Sequence, residues 1–168
     1  MKAILALFLL TASVPYAAQN QKWRQASDHE LEGVIPARAT VMKERIETEM
    51  RTASGVTDGH GRFIAGVVMI TAGYAAEGKY SDFFLTQAPL KVSDVQLKPG
   101  EYVFSIHRQD EDTVELTFYE AETGKLIGTA KAVADKQRGP VRSLIVSPPE
   151  NGRGFIKVGR FSAPYALF

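Results

Sequence analysis

The stretch Lys98-Pro99-Gly100-Glu101-Tyr102-Val103-Phe104-Ser105-Ile106-His107 and its continuation Thr113-Val114-Glu115-Leu116-Thr117-Phe118-Tyr119 decide the fold class. Proline fixes φ and glycine accepts a positive φ, so Lys98-Pro99-Gly100 is expected to turn the chain. Beyond it, Tyr102, Phe104 and Ile106 share one side, and Val103, Ser105 and His107 the other. Gln109 to Asp112 form a polar turn, after which Val114, Leu116 and Phe118 alternate with Glu115, Thr117 and Tyr119. A period of two on both sides of a turn is the pattern of a half-buried antiparallel hairpin.

The same grammar extends in both directions. Downstream, Glu122-Thr123-Gly124-Lys125 is a turn and Leu126 to Val133 a strand weakened by Gly128. Arg138-Gly139-Pro140 then leads into Val141 to Ser147, and Pro148 to Gly154 into Phe155 to Val158. At the C-terminus, Pro164 in the would-be last strand, Ala166 and the short strands argue against a membrane-spanning barrel. Upstream, Tyr80 to Thr86 reads as a strand, and Phe63 to Ala76 as a buried apolar strand bent at Gly66 or Gly73. Residues 44–54 carry two patterns. Met42, Ile46 and Met50 recur at helical spacing, while Ile46, Thr48, Met50 and Thr52 alternate with charged residues. The turn signal Asp58-Gly59-His60-Gly61 before the apolar run favours a strand paired with it. Ala37 to Met42 read as a connector. Ser27 or Asp28 caps a short helix that Gly33 and Pro36 stop, and Gln19 to Gln25 are polar and expected to be mobile. The expectation is a mainly β domain: an antiparallel β-sandwich or partly closed barrel with a short N-terminal helix. Its core is expected to hold Ile64, Val68, Ile70, Phe84, Tyr102, Phe104, Ile106, Val114, Leu116, Phe118, Leu144 and Val146.

Gly61-Arg62-Phe63-Ile64-Ala65-Gly66, followed by Leu97-Lys98-Pro99-Gly100-Glu101-Tyr102, resembles segments of small exported bacterial β-sandwich domains of uncharacterised function. Those domains carry a Gly-Arg-x-Ile-x-Gly segment and a Leu-x-Pro-Gly-x-Tyr hairpin, and the likeness spans roughly residues 44–120. The resemblance implies a sandwich, supports a strand over 44–54, and brings no catalytic residues with it.

At the N-terminus, Lys2 precedes an apolar run from Ala3 to Ala12, broken by Pro15 and followed by Ala17-Ala18. This is the layout of a secretory signal over residues 1–18, and the run is too short for a membrane helix. A polar segment with the short helix (19–43) and a β domain (44–168) are expected to follow. Export implies a periplasmic or extracellular location. Without Lys2, basic and acidic side chains balance at 19 each, which leaves no net field for nucleic acid. The chain has no cysteine, so disulfides, thiol catalysis and Cys-bound metals are excluded.

No cofactor motif is present: neither a dinucleotide nor a nucleotide-phosphate glycine pattern occurs, and Asn151-Gly152-Arg153-Gly154 reads as a hairpin loop. The three histidines, His29, His60 and His107, lack zinc spacing. Asp58 and His60 sit two apart in a glycine-rich turn, and His107 lies near Asp110 and Asp112. A metal- or His-assisted hydrolase built on Asp58, His60 and His107 is therefore one alternative, if they converge. A small outer-membrane barrel ending at Phe168 is another. Asp110-Glu111-Asp112 lacks the rest of a calcium loop. Acids crowd 110–122, whereas Lys131, Lys136, Arg138, Arg142, Arg153, Lys157 and Arg160 crowd 131–160. Neighbouring strands would offset these blocks. Tyr74, Tyr80, Tyr119 and Tyr165 are candidates for a sugar-stacking platform. The best-supported function is a non-catalytic exported domain that binds a protein or glycan, or serves structurally, in the cell envelope. Asp58, His60, His107, Arg138, Arg142 and Arg153 are its candidate surface.

Overall fold

The structure is a computed structural model that describes residues 22–136 and 139–168. The signal segment expected over 1–18 and Arg138 lie outside these residues. In chain order the elements are β1 (Arg24–Gln25), α1 (Asp28–Val34), β2 (Arg38–Val41), β3 (Glu44–Glu47), a 3-10 turn (Met50–Thr52), β4 (Ser54–Thr57), β5 (Phe63–Val68) and β6 (Asp82–Thr86). They continue with β7 (Leu90–Val92), β8 (Val95–Leu97), β9 (Gly100–Arg108), β10 (Thr113–Glu120), β11 (Leu126–Ala134), β12 (Arg142–Val146), β13 (Arg153–Gly159) and β14 (Phe161–Leu167).

One antiparallel sheet runs in the order β1-β4-β5-β6-β9-β10-β11-β14-β13-β12. β14 is shared along its length: Phe161 and Ser162 pair with β11, while Tyr165 to Leu167 pair with β7. The sheet curls so that β12 lies over β4 and β5. There the Val146 amide donates to Ser54 Oγ at 2.9 Å, and Leu144 rests against Gly66, within 2.7 Å of where a Cβ would stand. No backbone ladder joins β12 to β4. The result is a partly closed sandwich rather than a barrel.

β5 and β6 are buried on both faces. Ile64 and Phe84 point into the curl, where Phe118 meets Phe84 and Phe104 with ring centroids 6.0 and 5.2 Å apart. Phe63, Ala65, Val67, Phe83 and Leu85 point the other way, under α1 and the β2–β3 hairpin. Double burial explains why β5 reads as an unbroken apolar run, whereas β10 alternates. The helix starts where the sequence places it. Ser27 Oγ accepts from the Glu30 amide and Glu30 returns a bond to the Ser27 amide, a reciprocal cap. Leu31 then seats on bare Gly55, whose Cβ would lie 2.8 Å from it.

Several expectations need correction. Residues 44–54 do not form one strand paired with β5. Only β3 is extended, and its partner is β2, in the supposed connector. A 3-10 turn follows, and β4 takes the place beside β5. The β2–β3 hairpin therefore bridges the boundary drawn at residue 43. The segment before α1 is also ordered: Trp23 is buried in the main core, and β1 pairs with β4. The run after Phe63 leaves the sheet at Val68 and continues through turns. Gly100 opens β9 without a positive φ, and Ser93 (φ 49°) carries the turn of the β7–β8 hairpin. Pro164 sits within β14. Its carbonyl accepts from the Ser93 amide, so its nitrogen faces the gap between β11 and β7, where no ladder bond is lost. Of the expected core, Ile70 and Ile106 are exposed and Val68 half-buried. They lie toward strand ends, past the facing layer.

Two glycines test this packing in opposite directions. Gly55→Ala drives a methyl to 2.6 Å from Ala65 Cβ and 2.9 Å from the Ile64 carbonyl, and should cost about 1–3 kcal/mol in urea unfolding. Gly33→Ala, on the open side of α1 with nothing within 4 Å, should instead stabilise by up to about 1 kcal/mol.

Candidate functional site

The side chains that the sequence singles out do not converge. Asp58 is a loop organiser with a fully buried side chain. It accepts from the amides of His60 (2.8 Å) and Arg62 (3.1 Å) and from Arg62 Nε (2.7 Å). Burial pushes its carboxyl up, but Arg62 and the two amides outweigh that and hold it below the usual carboxylate range. Arg62 also lies over the Trp23 ring, 5.7 Å from its centroid. His60 is exposed at the tip of this loop.

His107 stands at the other end of the sheet. The β5 residue next to the His60 loop, Phe63, bonds Gln87 just past β6, and β6 ends with Thr86 opposite Gly100. His107 is seven residues further along β9, about 23 Å at strand spacing. Asp58, His60 and His107 cannot share a metal ion or a substrate atom, so the hydrolase alternative loses its geometry. Among the described residues no three metal-ligating side chains come together. The basic residues separate as well: Arg142 pairs with Gly159 and Arg153 with Ala166, at opposite ends of β13. Lys157 bonds Asp135 at 2.5 Å.

A different surface emerges from the strand register. On the outer face of β9, β10 and β11, residues align in three rows: Val103–Tyr119–Leu126, Ser105–Thr117–Thr129 and His107–Glu115–Lys131. The face thus grades from apolar and aromatic, through hydroxyls, to charged. The Thr117 and Thr129 hydroxyls are 3.2 Å apart. In the last row an acid faces a base on each flank, so acidic and basic blocks offset each other here. α1 and the β2–β3 hairpin cover the outer face of β5, β6 and the start of β9, and their cover stops at Tyr119.

At that border an apolar rim is exposed. Tyr80 meets Tyr119 edge-on, with centroids 5.1 Å apart at 63°. The Tyr80 hydroxyl points to Met42 Sδ at 4.0 Å, and its pKa is raised by burial and then by Tyr119. Met42 is the left-handed turn residue of the β2–β3 hairpin (φ 55°), and its amide donates to the Ala121 carbonyl at 2.7 Å. It is 50% exposed, and Leu126 on the same flank 58%. Tyr74 also packs at the edge of the covered layer. Tyr165 does not join these rings, because it is buried on bare Gly154 with its hydroxyl donating to the Ser147 carbonyl. Tyrosine count alone pointed toward this rim. Met42 and Leu126 were missed because a single exposed apolar residue carries no sequence signal.

Compared with known proteins, the chain matches no family model, no curated protein and no solved structure.

The role of Asp58 predicts a stability phenotype. Asp58→Ala should cost about 2–3 kcal/mol at pH 7, because it strands two amides and a guanidinium. A carboxyl held low in the folded state contributes fully above about pH 4 and loses that contribution as pH falls through its lowered value. The gap between wild type and variant in urea unfolding should therefore narrow on acidification below that point.

Proposed function

We propose that the chain is an exported, non-catalytic binding domain and that the outer β9–β11 face, with its rim of Tyr80, Tyr119, Met42 and Leu126, is its contact surface. The carrying observation is the one-sided covering of the sheet. The helix and hairpin cover the face as far as Tyr119, and the next strand is left with exposed apolar groups beside ordered hydroxyls. Tyrosine and methionine are enriched in protein interfaces, where a dry centre is ringed by polar groups. The opposite charges of Glu115 and Lys131 suit a protein partner with charges of both signs better than a polyanion. A glycan is the second reading, favoured by the row of Ser105, Thr117 and Thr129 next to the Tyr119 ring.

Export rests on the charged start and apolar run of residues 2–12, and places the partner in the cell envelope or outside the cell. No helix among the described residues is long and apolar enough to cross a membrane. An outer-membrane barrel would turn apolar side chains outward, whereas Leu116 and Phe118 of β10 point in and Glu115 and Thr117 point out.

The test is affinity capture from an envelope extract, alongside a glycan array, with purified protein lacking residues 1–18. Met42→Glu combined with Leu126→Glu should weaken the captured interaction at least about tenfold, since each buries a charge at the interface. Asp94→Lys, at a fully exposed turn position, should leave it intact. Equal binding by the double variant, or hydrolytic turnover by the purified protein, would reject the proposal.

A further inference from the structure

Asp82 is a buried carboxyl that the account so far leaves without a role. It begins β6 on the face that points into the curl, is 2% exposed, and its Oδ1 has no hydrogen-bond partner. Its Oδ2 accepts from Ser81 Oγ at 2.5 Å. The same Ser81 Oγ lies 3.4 Å from the Phe104 carbonyl, which already accepts from the Ser81 amide at 3.0 Å. The Ser81 carbonyl in turn accepts from the Met69 amide at 2.9 Å. Ser81 is thus where the turn-rich segment 70–80, which carries Tyr74 and Tyr80, rejoins the sheet between β5 and β9.

A serine hydroxyl has one proton to donate. When Asp82 is ionised, that proton goes to Oδ2, and the second lone pair of the Phe104 carbonyl is left without it. When Asp82 is neutral, its own hydroxyl can donate to Ser81 Oγ, and the Ser81 proton is released to the Phe104 carbonyl. The neutral arrangement makes one more bond and removes a buried charge that has a single donor.

We propose that Asp82, Ser81 and the Phe104 carbonyl form a proton-operated latch, which fastens the 70–80 segment to β9 when Asp82 is neutral and loosens it when the carboxylate forms. No neighbouring charge compensates the carboxylate: in the 3-10 turn, whose Glu49 amide bonds the Val68 carbonyl, Arg51 is paired with Glu49, and Glu77 and Lys79 of the segment itself are exposed. β5 presents Val68 and carries no titratable side chain, and β9 presents Phe104. On β9, Arg108 shares the face but stands four residues beyond Phe104, its guanidinium over the Phe161 ring. Glu101 and His107 lie on the opposite face. On β12, which covers β5, Leu144 sits over Gly66, and Arg142 at its start is exposed. Burial accordingly raises the carboxyl to about 6, and only the Ser81 bond pulls it down. An acid whose folded pKa is raised favours the closed state fully below its unfolded value and loses that advantage as pH rises through the folded one. The latch is tightest below about pH 4 and loosens as pH rises towards about 6.

The test is a carboxyl 13C titration of the intact protein, paired with amide hydrogen exchange of residues 69–82 corrected for intrinsic rates. In the wild type, Asp82 should titrate near 6, and protection of the segment should fall by up to about a hundredfold between pH 4 and pH 8. Asp82→Asn can donate and accept as the neutral acid does, so it should keep the segment protected at every pH. Ser81→Ala removes two bonds from the neutral arrangement and one from the ionised one, so it should lower protection of the segment more at pH 4 than at pH 8, which a serine with a pH-independent structural role would not do. An Asp82 midpoint at the ordinary carboxylate value overturns the latch, as does pH-dependent protection that persists in Asp82→Asn. These readouts need no binding partner and stand apart from the contact-surface proposal.

Discussion

The constraint on which the architecture depends is that β5 and β6 must hide both faces. A strand with apolar groups on one side needs one covering layer; Phe83-Phe84-Leu85 needs two. Burying one phenylalanine side chain contributes roughly 1.5–3 kcal/mol, so exposing Phe83 or Phe84 would cost a sizeable share of the stability of a domain this size. The chain solves this by curling its own C-terminal strands over one face and laying α1 and the β2–β3 hairpin on the other. The small residues at Gly55 and Gly66 are part of that solution, because each admits a leucine, Leu31 from one side and Leu144 from the other, close to the backbone.

From this division of labour follows the surface. The strands that supply the facing layer are buried on one side only, and their outer residues alternate with polar ones. The hairpin is four residues per strand, long enough to shelter the doubly apolar strands but not β10 and β11. The exposed border at Tyr119 is thus a consequence of where the cover ends, and the gradient across the three rows follows from the register of β9, β10 and β11.

Much of this was legible in the sequence and some was not, for identifiable reasons. The β9–β10 hairpin announces itself because half-burial imposes strict alternation. β5 was recognisable as buried, but its neighbours were not, since an apolar run shows that both faces are covered without showing by what, and the double burial of β6 was not read from Tyr80 to Thr86. Arg38-Ala39-Thr40-Val41 does alternate, yet its small and charged residues masked β2 as a connector. Trp23 stood among glutamines and a lysine, and its burial depends on a two-residue pairing with β4. How β14 accommodates Pro164 was not legible, because a proline is restricted only on the side of the strand that must donate, and that side is known only once β14 is seen to be shared between β11 and β7. The histidines failed as a site for a similar reason: sequence shows that His60 and His107 exist, while the strand path sets them at opposite ends.

The absence of cysteine makes the central claim open to direct measurement. Single cysteines placed at Phe83, Phe84, Leu116 and Thr117 can be probed for thiol labelling in the folded protein. The account predicts that Phe83→Cys and Phe84→Cys are both protected, whereas on β10 Leu116→Cys is protected and Thr117→Cys reacts freely. Labelling of Phe83→Cys as fast as Thr117→Cys would show that the helix and hairpin do not cover the second face, and would contradict the account at its foundation.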